Sequence, residues 1–171
     1  MESYTPMQAI KRRMFAMRNG VVADALRKGG SPFPIIFGIN LPQLVDIASS
    51  TGKNKELAEK LWGNTTTRES MLIAPMLMPV QEFGIEDARR WASGATVAEV
   101  ADILCHRLLR HLPFAWALAE EYADSYIGLR LAFNLVASDP EHALRIAEAA
   151  IGNETLRPLA ERLKEEAEYL R

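Results

Sequence analysis

The chain has 171 residues, 49% hydrophobic and 25% charged, with a formal net charge of -2; that length is enough for one domain with its own core. These values exclude a disordered chain, and they show no overall basic excess of the kind that advertises nucleic acid. The lone cysteine, Cys105, excludes an internal disulfide and suits a reducing compartment.

The opening residues MESYTPMQ are polar and no apolar signal core follows. No apolar run approaches the roughly 20 residues that a membrane helix requires. A cytoplasmic location and no membrane partner are therefore expected. Ala, Leu, Glu, Arg and Met are plentiful and β-branched runs are scarce, which favours helix.

In chain order, Thr5 and Pro6 begin a helix expected to reach about Lys28, with Gly20 as a bend and Gly29-Gly30 as the stop. This is the most basic stretch, with Lys11, Arg12, Arg13, Arg18, Arg27 and Lys28. It reads either as a solvated face or as a strip that meets phosphates. Residues 31–39, SPFPIIFGI, read as an extended connector without a pairing partner, whose Phe33, Ile35, Ile36 and Phe37 plug the core.

Asn40 caps LPQLVDIASST, with Pro42 in the first turn and Gly52 after the end. KNKELAEKLWG follows. Thr66 and Glu69 then spell a capping box at the start of TTRESMLIAPMLM, where Pro75 should kink or end the helix. Residues 85–93 form a short helix.

Residues 96–111, TVAEVADILCHRLLRH, form the most informative stretch. Thr96 and Glu99 spell another capping box. Val97, Val100, Ala101, Leu104 and Leu108 make a buried stripe. Glu99, Asp102, His106 and Arg110 gather on the opposite face. Cys105 lies near the buried stripe and reads as a small core residue.

Three further segments, PFAWALAEEYA, YIGLRLAFNLVA capped by Ser125, and PEHALRIAEAAI started by Asp139 and Pro140, precede a charged last helix from about Glu154. About ten helices on short loops predict an all-α chain of antiparallel helical hairpins. Pairs recurring every 35–45 residues point to HEAT-like stacking into a right-handed superhelix in a single domain, residues 1–171, with a compact orthogonal bundle as the alternative.

No Gly-rich phosphate loop, GxSxG, HExxH or CxxC is present. Asp102 and His106 are two potential metal ligands, too few for zinc by themselves. No metal and no other cofactor are expected. Trp62, Trp91 and Trp116 read as packing residues, and Trp91 is also a candidate for the mouth of the site beside residues 96–111.

Several segments together resemble the AlkD-like DNA alkylation repair proteins: FGINLPQLVDIASSTGKNKELAEKLW, TTRESMLIAPML, DARRWASGATVAEVADILCHRLL and YIGLRLAFNLV. The likeness covers roughly residues 37–137. It implies HEAT-like hairpins around a concave DNA groove and cofactor-free excision of N3- and N7-alkylated purines. Carried over by position, the catalytic aspartate falls on Asp102 and a phosphate-holding arginine on Arg130. Such an aspartate stabilises oxocarbenium character in the sugar. Arg107, Arg110, Arg89, Arg90, Trp91 and His106 are the further candidates for contact with double-stranded DNA. The sequence departs from the family where groove tryptophans are expected, having Ala98 in one place and Ile127 and Gly128 in the other. A non-catalytic helical-repeat scaffold that holds a protein or nucleic acid is therefore the alternative function.

Overall fold

The structure, a computed structural model, describes residues 3–171. Those residues form eleven α-helices and two short 3-10 turns, with one isolated β-bridge and no sheet. The chain divides into two compact units, Met1–Glu82 and Phe83–Arg171.

Unit 1 holds α1 (Pro6–Ala16), α2 (Gly20–Lys28), α3 (Leu41–Thr51), α4 (Lys55–Gly63) and α5 (Arg68–Leu77). Within it α5 packs on α3 and α4, and α1 packs on α3. The long first helix expected from sequence is two helices. Asn19 takes an extended conformation and its side chain accepts from the Val21 and Val22 amides, which starts a new helix. The Asn19 amide donates to the Phe37 carbonyl at 2.7 Å, tying the break to the connector.

That connector is paired after all. Ile35 forms a parallel bridge with Thr67: its amide donates to the Thr66 carbonyl and its carbonyl accepts from the Arg68 amide. Phe33 and Ile36 are buried as expected, but Ile35 stands 46% exposed. Extended backbone alternates its side chains, so Ile35 and Ile36 cannot both face the core.

Glu69 is not half of a capping box. Thr67 takes the N-cap position of α5 without a side-chain bond. Glu69 is fully buried and accepts from the amides of Phe37 (2.9 Å) and Gly38 (3.2 Å). Arg68 lies 2.6 Å from the same carboxylate and also donates to the Ile39 carbonyl. Gly38 has φ +81, and a Cβ there would overlap the Asn19 carbonyl oxygen. Pro75 lies inside α5, which ends two residues later.

Unit 2 holds α6 (Ile85–Gly94), α7 (Ala98–Arg107), α8 (Ala115–Glu121), α9 (Tyr126–Leu135), α10 (Pro140–Ala150) and α11 (Arg157–Leu170). α9 touches α7, α8, α10 and α11, and so forms the centre of the unit. α7 begins at Ala98 behind an uncapped Val97, so Thr96 lies one residue before the cap position, in the turn after α6, where its amide donates to the Gly94 carbonyl. It stops at Arg107; Leu108 leaves helical geometry at φ -131, and residues Leu109–His111 form a 3-10 turn.

Removing the Glu69 carboxylate would leave a buried guanidinium and two connector amides without their acceptor. Glu69→Ala is expected to cost about 3–5 kcal/mol, the range for breaking a buried pair from one side. Urea unfolding followed by circular dichroism measures it. Glu69→Gln, which keeps an acceptor, should cost less.

Candidate nucleic-acid interface

Asp102 projects from the middle of α7, and α9 supplies its partners. The Tyr126 hydroxyl donates to Asp102 Oδ1 at 2.7 Å. Arg130, one turn further along α9, brings its Nε to 3.3 Å from the same oxygen. Asp102 Oδ2 takes no hydrogen bond among the described residues. The Asp102 side chain is 36% exposed and that of Arg130 30%, so the pair is partly open to solvent. Placing Tyr126 and Arg130 at i and i+4 sets both groups on one face of α9.

The stripe continues with residues that sequence reasoning missed. The Arg130 guanidinium carbon sits 5.6 Å from the centroid of the Phe133 ring, within cation–π range. Arg162 of α11 reaches the same ring at 5.8 Å. Asn134 anchors its amide on the Arg130 carbonyl at 2.8 Å, and its oxygen lies 3.4 Å from His106 Nδ1. Positions 126, 130, 133 and 134 are i, i+4, i+7 and i+8 on one helix, a signal the sequence did carry. Arg162 carried none, because α11 is charged throughout.

His106 does not pair with Asp102, although the two are four residues apart on α7. Its Nδ1 accepts instead from Arg110 at 3.3 Å. Arg107 is half-buried, and its Nε is buried without a hydrogen-bond partner. Cys105 is fully buried, and burial above all pushes its thiol far up, in keeping with a core residue rather than a nucleophile.

Three of the expected contact residues lie elsewhere. Trp91 is 0% exposed and packs edge-on against Phe83, with ring centroids 5.1 Å apart. A ring with no exposed surface cannot line a groove, so its candidacy as a DNA contact is withdrawn. Arg89 belongs to an acidic cluster: its Nε lies 2.9 and 3.0 Å from the two Glu121 oxygens, and one terminal nitrogen is 2.5 Å from Glu86. Those bonds, Glu121's first, raise its pKa further. Arg90 pairs with Asp87 at 3.3 Å. Lys11, Arg12 and Arg13 are on α1 in unit 1.

The missing tryptophans have different structural settings. Ala98 is exposed at the first turn of α7. Gly128 has no room for any side chain, since a Cβ would overlap the Tyr122 carbonyl oxygen. Ile127 is buried, and its carbonyl accepts from the Cys105 thiol. No group of three or more His, Cys, Asp or Glu side chains among the described residues is arranged to hold a metal ion. No helix among them is long and apolar enough to cross a membrane.

The Tyr126 phenol is pushed up to about 12, first by burial and then by its hydrogen bond to the Asp102 carboxylate and that group's charge. The folded chain therefore holds this proton more tightly than the unfolded chain does. This contribution to stability is complete below the unfolded value of about 10 and is lost as pH rises from there through about 12. A phenolate titration at the ultraviolet difference band should show one tyrosine ionising late. Tyr126→Phe should remove that step and Asp102→Asn should move it down. An unchanged profile in both variants would contradict the assigned hydrogen bond.

No family model matches the chain, and no curated protein matches it. A solved structure does: it is described as belonging to a new family of proteins related to the HEAT-like repeat DNA glycosylases with affinity for branched DNA structures. The two chains share 16% sequence identity, superpose with a TM-score of 0.66, and are covered to 96% for this chain and 83% for that one. At that identity the likeness is one of fold, and the all-helical chain with its α-hairpins has the HEAT-like repeat fold.

Proposed function

We propose that the chain binds DNA through unit 2, with Arg130 and Arg162 meeting phosphates beside the Phe133 ring that both reach. The observation that carries this reading is the way Arg130 is held. Its Nε is committed to Asp102, and its terminal nitrogens make no hydrogen bond among the described residues. A guanidinium fixed in this way offers its remaining donors to a phosphate with little further loss of side-chain freedom. The fold is shared with a protein whose family is described as having affinity for branched DNA, which supports a nucleic-acid partner for this chain too. We further propose that residues 1–171 act as one HEAT-like repeat domain, supported by an alignment that spans both units.

Asp102 is assigned a positioning role toward Arg130, and catalysis is expected to be weak or lost. An anion already paired with a guanidinium presents a reduced field to a cationic sugar. The aromatic wall that would hold an alkylated base is also absent at Ala98 and Gly128. Base excision stays the second reading, because Asp102 Oδ2 takes no hydrogen bond among the described residues and the Asp102 side chain is 36% exposed.

Duplex and branched DNA should bind at low salt, and affinity should fall steeply as salt rises and counterions stay condensed. Arg130→Ala should weaken binding and lower the logarithmic salt slope by about 1. Asp102→Asn keeps an acceptor oxygen for Tyr126 and for the Arg130 Nε that holds the guanidinium in place, while removing an anion beside the phosphate, so it should bind DNA at least as well. Release of 7-methylguanine and 3-methyladenine is expected to be slow or absent, and robust release abolished by Asp102→Asn would establish the glycosylase reading instead. No binding to any DNA at low salt would favour a scaffold with a protein partner.

A further inference from the structure

Unit 1 contains a cleft of about 740 Å³, within the range of roughly 300–1,000 Å³ typical of small-molecule sites. Its apolar walls include Phe15, Ile35, Phe37 and Leu61. Phe15 is 57% exposed and Ile35 46%, and one of the two is aromatic. The Arg18 guanidinium stands 3.8 Å from the Phe15 centroid and fixes that ring.

Two features decide what such a cleft accepts. Lys11 lines it and makes no ion pair or hydrogen bond among the described residues. Thr67 and Ser70, each 4% exposed, also line it. The Thr67 hydroxyl has no hydrogen-bond partner among the described residues, and the Ser70 hydroxyl accepts from Asn64 but donates to none. Neither hydroxyl proton is taken up by an acceptor of the chain, so a matching occupant brings acceptor atoms to the Thr67 and Ser70 wall, an apolar flat body to the middle and an anion to Lys11. An acyl chain with a carboxylate satisfies the last requirement and fails the first. A pyrimidine or purine base with its phosphate satisfies all three.

We infer that this cleft takes an unpaired nucleotide. The base packs against Phe15, Ile35 and Phe37 and accepts from Thr67 and Ser70, and the phosphate meets Lys11. The site is separate from the Arg130 stripe and uses none of its residues.

The test is titration of the isotopically labelled full chain with dTMP, thymidine and decanoate, read by amide chemical shifts. dTMP should give saturable shifts confined to residues 11–16, 35–37 and 64–70. Thymidine, lacking the charged contact, should bind at least about tenfold more weakly. Lys11→Ala should bring dTMP to the affinity of thymidine. Thr67→Val, whose hydroxyl makes no capping bond, should weaken both ligands by roughly three- to tenfold, the loss of one neutral hydrogen bond. Arg130→Ala should leave the dTMP titration unchanged, so failure of the cleft and failure of the DNA reading are separable. The inference is overturned if dTMP gives no saturable shifts there, if both cleft variants bind it like the parent, or if decanoate binds in preference.

Discussion

A single buried carboxylate organises unit 1. Glu69 accepts from two consecutive connector amides while Arg68 neutralises it and reaches the Ile39 carbonyl. Backbone groups of an irregular segment must be satisfied somewhere when they leave water. Here the first turn of α5 satisfies those of residues 37–39. With the bridge at Ile35 and the Asn19 amide on Phe37, the connector is fixed along its length. Its fixed path leaves Ile35 and Phe37 on the wall of the cleft that also holds Thr67 and Ser70. The element that carries the buried pair is thus also the one that shapes the candidate ligand site.

In unit 2 the comparable constraint is steric. Gly128 lets the first turn of α9 approach the Tyr122 carbonyl more closely than any other residue would allow. That carbonyl also accepts from the Ser125 amide and hydroxyl, so the turn between α8 and α9 is tight. α9 also packs on α7, where Tyr126 and Arg130 both reach Asp102. A tryptophan at position 128 is incompatible with this packing. The difference from the glycosylase pattern is therefore built into how α9 sits, whereas at Ala98 it is a matter of an exposed position left small.

Charge placement separates the two arginine groups of unit 2. Arg89 and Arg90 face carboxylates of their own helix, and Arg89 also faces Glu121 of α8. Their charge is already answered at short range, and exposed pairs of this kind contribute little to stability, typically about 0–1 kcal/mol each. Arg130 and Arg162 share one aromatic ring, and Arg130 is answered by Asp102 with a single contact at 3.3 Å. A chain with a net charge of -2 can therefore still present a local cationic stripe, since the field at a surface depends on where charges sit.

The sequence alone determined the helical class, most helix positions and the burial of Cys105, because apolar spacing, caps and prolines act within a turn or two of chain. It also brought Asp102 and Arg130 forward as a pair, through position within a resembling pattern. It misread Thr66–Glu69, where a capping box and a residue needed by a distant segment look alike in a short window, and Thr96–Glu99, where the helix starts one residue later than the box requires. It placed Trp91 at a mouth and Ile35 in the core, since side-chain direction depends on which neighbour arrives. Only the tertiary structure decided that Glu69 serves a connector some thirty residues away, that Gly128 is held by a carbonyl, and that Arg162 joins Arg130 at Phe133. The contacts of Glu69 and Arg162 join residues about thirty apart in the chain, the Gly128 contact crosses a tight turn between two helices, and all depend on distances that no local pattern encodes.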